Sequence, residues 1–166
     1  MKKIIFIIVI LSIGIAVAAV LRFPGKAAAK LNSRVCDAEL WSHVYEKDRL
    51  HVIEDCVAVE GRVLSIHYNS DGDVHIGLEP QDKSVLNLIN VIHAHRELIV
   101  EVICDHPPTK ESAKQACKNF RSKVTIPKIG ERIRVSGSYV TDRELGWREI
   151  HPVTKIEVLQ TRSSAD

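Results

Sequence analysis

Alternating apolar residues mark three short strands, a stripe at helical spacing follows them, and two further alternating strands close the chain. That order predicts a mainly β fold: a five-stranded barrel like that of oligonucleotide/oligosaccharide-binding (OB) domains, with one short helix between strands 3 and 4. An uninterrupted apolar run at the N-terminus adds a transmembrane or signal helix ahead of the domain. An immunoglobulin-like sandwich would need about seven strands and no helix.

The expected organisation has four parts: residues 1–21 as anchor or signal, 22–35 as a basic tether, 36–160 as the OB-like extracytoplasmic domain, and 161–166 as a tail. Met1-Lys2-Lys3 precedes Ile4 to Leu21, which carry no charge. As one helix this run is about 27 Å long, close to the thickness of the hydrocarbon core, and Arg22 ends it like an interfacial anchor. A shorter apolar core followed by Ala16-Val17-Ala18 reads instead as a cleavable signal peptide. Either way the domain lies outside the cytoplasm, membrane-anchored in the first case and secreted in the second. Lys2 and Lys3 favour an N-in orientation, while Arg22, Lys26 and Lys30 weaken that preference.

Within the domain, Asp37 can cap a short helix whose Leu40, Trp41, Val44 and Tyr45 pack on the barrel. Val57, Val59, Gly61 and Val63 alternate in the first strand, and Ser70-Asp71-Gly72-Asp73 is a turn cluster. Val74, Ile76 and Leu78 alternate in the second strand, so the two form a hairpin. The third strand is residues 97–104, apolar on both faces except at Glu101. Residues 82–96 are ambiguous: Val85, Leu88, Ile89 and Ile92 fit a helix, but the Asn and β-branched residues suggest an irregular crossing. After Pro107-Pro108, Ala113, Ala116, Cys117 and Phe120 fall at i, i+3, i+4 and i+7, the expected helix. Ile133, Val135, Gly137 and Tyr139 alternate in the fourth strand, and the fifth runs from Arg148 to Leu159.

Composition narrows the function. The chain has 23 Lys+Arg against 21 Asp+Glu, and 45 % hydrophobic content excludes a disordered chain. Residues 36–160 hold 16 basic and 20 acidic side chains, a poor balance for nonspecific nucleic-acid binding. The second and third strands also lack the aromatic platforms that stack single-stranded bases. Four cysteines, Cys36, Cys56, Cys104 and Cys117, suit disulfides in an exported domain. Three pairings are possible; Cys36–Cys56 with Cys104–Cys117 is favoured because each closes one local loop. The spacings do not supply the C-x-x-C pairs of zinc knuckles.

The stretches DGDVHIGL (71–78), LIVEVIC (98–104), IPKIGERIRVSGSYVTD (126–142) and GWREIHPVTKIEVL (146–159) resemble a family of exported, single-domain OB-like proteins of bacteria and archaea with a GW-x-EIHPV-type last strand. That resemblance implies the fold and the compartment and implies no reaction. Members often carry His before Gly-Trp, where this chain has Leu145.

Candidate site residues form two groups. His75, Glu101, Glu149 and His151 are a carboxylate–imidazole set suited to a divalent metal or to general acid–base chemistry, if the fold brings them together. The alternative is a structural role for the same residues in fixing the last strand. Residues 106–134 hold eight basic and two acidic side chains, so Lys114, Lys118, Arg121, Arg132 and Arg134 are a candidate anion site; a solvated basic edge is the competing reading. Asn69 to Asp73 has alternating oxygen donors around Gly72, but no Glu stands at the EF-hand distance, which favours a plain hairpin turn. The function expected is a non-enzymatic binding domain with a protein, glycan or lipid ligand and a membrane contact through the N-terminal helix. A metal-dependent hydrolase using His75, Glu149 and His151, and a polyanion-binding module, are the alternatives.

Overall fold

A computed structural model describes residues 29–30 and 35–160. The expected N-terminal helix, most of the tether and the C-terminal tail lie outside the described residues. Among those described, no helix is long and apolar enough to cross a membrane. The strands are β1 (Ala29–Lys30), β2 (Leu50–Tyr68), β3 (Val74–Pro80), β4 (Leu98–Val102), β5 (Arg132–Asp142) and β6 (Arg148–Val158), and a short helix α1 covers Leu88–His93.

Strand pairing closes on itself in the order β2, β3, β4, β6, β5 and back to β2. The β4–β6 pair is parallel, with Ile99 opposite Glu149 and Val100 opposite Ile150; the others are antiparallel. β2 serves two neighbours, pairing with β5 from Leu50 to Arg62 and with β3 from Gly61 to Tyr68. Register shifts at Val52/Glu54, Glu54/Val57 and Val63/Ser65 supply the local bends such a strand needs. β1 lies beside β2, Ala29 opposite Ala58 and Lys30 opposite Val57.

The period-two residues face one core. Val57, Val59 and Val63 meet Val74, Ile76 and Leu78, the β4 set Leu98, Val100 and Val102, and Ile133, Val135, Tyr139, Ile150 and Val153. A smaller cluster gathers Val44, Leu50, Ile103, Cys104 and Val140, with Leu40, Trp41, Cys117 and Phe120 packed against it. Tyr139 and Val140 are adjacent in β5 and belong to different clusters, so β5 separates the two. The upstream segment forms a 3-10 turn over Ala38–His43, and the Asp37 side chain accepts from the Glu39 N–H at 2.9 Å as its cap. Two disulfides join Cys36 to Cys56 and Cys104 to Cys117, and no free cysteine remains.

The helix placement needs correction. Between β4 and β5 the chain makes a three-residue 3-10 turn, Glu111–Ala113, and then a series of turns, where a helix was expected. The apolar stripe Ala113 to Phe120 is real as burial. Cys117, bonded to Cys104, and Phe120 pack into the second cluster without a helix between them. The α-helix lies instead in the ambiguous crossing, at Leu88–His93, after a 3-10 turn at Lys83–Val85.

The hairpin turn between β2 and β3 is held by backbone. Gly72 has a φ of 98°, and a Cβ there would sit 2.6 Å from the His106 carbonyl. The carbonyls of Asn69, Ser70 and Gly72 accept from His106, Thr109 and Lys110 groups. Those oxygens are therefore committed to the neighbouring loop, which fixes the segment as a hairpin turn.

Candidate functional site, a buried carboxylate and imidazole cluster

Neighbouring strands bring the four predicted residues together. His75 on β3 stands directly opposite Glu101 on β4. The parallel β4–β6 register that sets Ile99 against Glu149 carries His151 alongside Glu101. All four point away from the main core, as residues one step out of phase with Ile76, Val100 and Ile150 must. His75 Nε2 is 2.9 Å from Glu101 Oε1. His151 Nδ1 is 3.1 Å from Glu149 Oε1 and 3.2 Å from Glu101 Oε2. Trp147 donates its indole N–H to Glu149 Oε2 at 3.1 Å. Glu101, Glu149 and His151 are each about 1 % exposed, whereas the His75 side chain is 27 % exposed and forms the edge of the cluster.

A fifth member, absent from the predicted cluster, comes from the Asn69–Asp73 turn. Asp73, 2 % exposed, immediately precedes β3 and accepts the Cys104 N–H at 2.6 Å through Oδ1. One oxygen each of Asp73 and Glu101 and one ring nitrogen of His151 lie within 4.8 Å of one another. The signal was present in the sequence: Asp73-x-His75 and Glu149-x-His151 are the same acid-x-imidazole spacing, which places each pair on one face of an extended segment.

Electrostatics follow from burial and mutual proximity. Burial pushes Asp73 up, the Glu101 charge adds to it, and the carboxyl titrates at about 7. Burial would raise Glu101 too, but the charge and contacts of His151 and His75 overrule it and hold Glu101 well below the usual carboxylate range. Burial would depress His151, yet Glu101 and Glu149 raise it. His75 is raised as well, the Glu101 hydrogen bond and charge outweighing its burial. Two buried atoms, Glu101 Oε2 and His151 Nε2, have no hydrogen-bond partner.

The turn that carries Trp147 is gripped from α1. Asn87 donates to the Gly146 carbonyl at 2.8 Å. The fully buried Asn90 accepts from the Asn87 and Arg148 N–H groups and donates to the Glu97 and Arg148 carbonyls, at 2.9–3.2 Å. Arg148 in turn donates to the Tyr139 hydroxyl at 3.0 Å, and Tyr139 donates to the Val85 carbonyl at 2.6 Å.

The candidate anion residues have separate commitments. Arg134 is ion-paired with Glu60, Arg132 donates to Gln81 at 3.1 Å, and Lys114 pairs with Glu111 at 2.6 Å. Lys118 is exposed. Arg121 lines a cavity of about 380 Å³ between residues 120–125 and Val153–Ile156 of β6. Lys123 and Lys155 share its lining, with Asp37 as the acidic member and Leu40, Phe120, Val153 and Ile156 among the apolar ones. Lys155 also pairs with Glu157.

No protein-family model matches the chain, and no curated protein matches it.

Proposed function

We propose that the chain is an exported OB-fold domain, membrane-tethered or secreted, that binds a ligand and carries out no reaction of its own. The observation that carries this reading is the separation of chemistry from access. The acid–base groups Asp73, Glu101, Glu149 and His151 are sealed from solvent, while the open cavity beside β6 presents Arg121, Lys123 and Lys155 with Asp37 beside apolar walls. Such a lining suits an elongated ligand carrying both anionic and apolar groups, from a protein, a glycan or a lipid. Export is supported by the paired cysteines and by the apolar run behind Lys2 and Lys3. The ring order with one parallel pair, between the third and fifth strands of the ring, supports the OB assignment, as does the resemblance carried by GWREIHPV.

The test uses heparin and anionic phospholipid vesicles as probes of the oxidised protein. Salt-sensitive retention on at least one, weakened in the Arg121→Ala/Lys123→Ala double variant, is the expected result. No retention at low ionic strength, or retention indifferent to that variant, overturns the cavity as the ligand site. A second reading, a metal-dependent hydrolase using His75, Glu149 and His151, is favoured by one observation: His75 opens the cluster to solvent. Turnover of ester or phosphoester substrates that disappears in His75→Ala would replace the first reading with the second.

A further inference from the structure

We propose that Asp73, Glu101 and His151 bind one divalent transition-metal ion, held inside the fold at the β4–β6 junction. The three side chains come from three segments far apart in sequence, and their nearest ligand atoms already lie within 4.8 Å of one another. Two atoms bound to one ion at about 2.0–2.2 Å stand no more than about 4.4 Å apart, so the three side chains need close on an ion only by a small adjustment.

Outer partners brace the ligands and leave one ring nitrogen free. His75 contacts Glu101 through Oε1, and Glu101 Oε2 faces His151 Nδ1 at 3.2 Å. Glu149 holds the His151 ring from Nδ1, Trp147 holds Glu149, and His151 Nε2 is without a partner. The Cys104 N–H fixes Asp73 through Oδ1. An imidazole braced by a carboxylate, with each acidic ligand braced by its own donor, is the arrangement that orients metal ligands. Buried polar atoms left unpaired are rare in folded proteins, and the wholly buried His151 Nε2 beside two carboxylates asks for an occupant.

Charge and donor type select the ion. Three carboxylates, Asp73, Glu101 and Glu149, surround the His151 ring, so a dication that displaces the ring proton puts positive charge where the fold already gathers acidic groups. The imidazole nitrogen favours zinc or manganese over magnesium and calcium, which prefer all-oxygen sites. Thiolate ligands are excluded, because the neighbouring Cys104 and Cys117 are bonded to each other. Burial makes the ion structural, a centre that ties β4 and β6 to the β2–β3 turn, and this goes beyond the ligand-binding reading without depending on it.

The experiment is metal titration of the full, oxidised chain after chelator treatment, with zinc and manganese as probes and calcium as the contrast. One equivalent of zinc or manganese is expected, with thermal unfolding shifted upward. Asp73→Asn and Glu101→Gln should each weaken binding by about tenfold or more while the circular dichroism spectrum stays unchanged. His93→Ala/His95→Ala, outside the cluster, should bind as the parent does. Absence of binding at millimolar metal overturns the proposal. So does binding that survives Asp73→Asn and Glu101→Gln or is lost with His93 and His95, because the metal then sits on surface histidines.

Discussion

Asn90 holds its part of the molecule through a single amide. Its side chain bonds Asn87, Glu97 and Arg148 from a fully buried position, using both donor and acceptor ends. Replacing it with Ala removes the side-chain partner of two N–H groups and two carbonyls. An unsatisfied buried polar group costs roughly 1–3 kcal/mol, so Asn90→Ala should lose about 3 kcal/mol or more, read as a lower denaturant midpoint. Asn90→Asp should not rescue it, since a carboxylate cannot donate to the Glu97 and Arg148 carbonyls. At this same scale Trp147 resolves into a positioning contact: its ring nitrogen aims Glu149, which in turn holds the His151 ring.

Among the elements, the strands were legible and the helices were not, for one physical reason. Val74, Ile76 and Leu78 alternate because one face of β3 is core, and the same holds for Ile133, Val135 and Tyr139. Period-two burial leaves a clear trace in sequence. The six-residue α1 leaves an ambiguous one: Leu88, Ile89 and Ile92 fit helical spacing, yet Leu88 and Ile92 are 68 % and 57 % exposed and the buried anchor is the polar Asn90. What marked it was the Asn87/Asn90 capping pair, read from sequence as a sign of irregularity. The stripe Ala113 to Phe120 misled in the opposite sense: the Cys104–Cys117 bond pins that segment onto the second cluster, so its burial needs no helix. The site followed the same rule. His75, Glu101, Glu149 and His151 were visible as out-of-phase polar residues on strands, and Asp73 was missed because its neighbours spell a turn. The bond closing the short loop from Cys104 to Cys117 should be worth about 3 kcal/mol in the chain-entropy model, so Cys104→Ser/Cys117→Ser should unfold at correspondingly lower denaturant.

For the whole molecule, the uneven charge along the chain is partly cancelled by the fold. Residues 36–105 carry 5 basic and 14 acidic side chains, and residues 106–134 carry 8 and 2. The β2–β5 seam sets Glu60 against Arg134, and Arg62 bonds Glu79 on β3 at 2.9 Å. These exposed pairs contribute little stability each. Arg121 and Lys123 line the cavity without such a pair, and Lys118 and Lys128 are exposed on the same segment. Within the basic segment, pairing thus neutralises Lys114 and Arg134, while the cations from Lys118 to Lys128 keep the positive field a polyanion would meet.

β2 and β5 share a seam running from Leu50 to Arg62, whereas β4 and β6 meet in register only at Ile99–Glu149 and Val100–Ile150. A closed ring breathes first at its shortest seam, by local opening that falls short of global unfolding. Backbone amides of β4 facing β6 should therefore exchange with deuterium sooner than those of Val57 to Glu60 in β2. Glu101, Glu149 and His151 straddle this same seam, so any ion lodged among them acts as a rivet. Loading zinc should slow exchange there far more than on the opposite side of the ring.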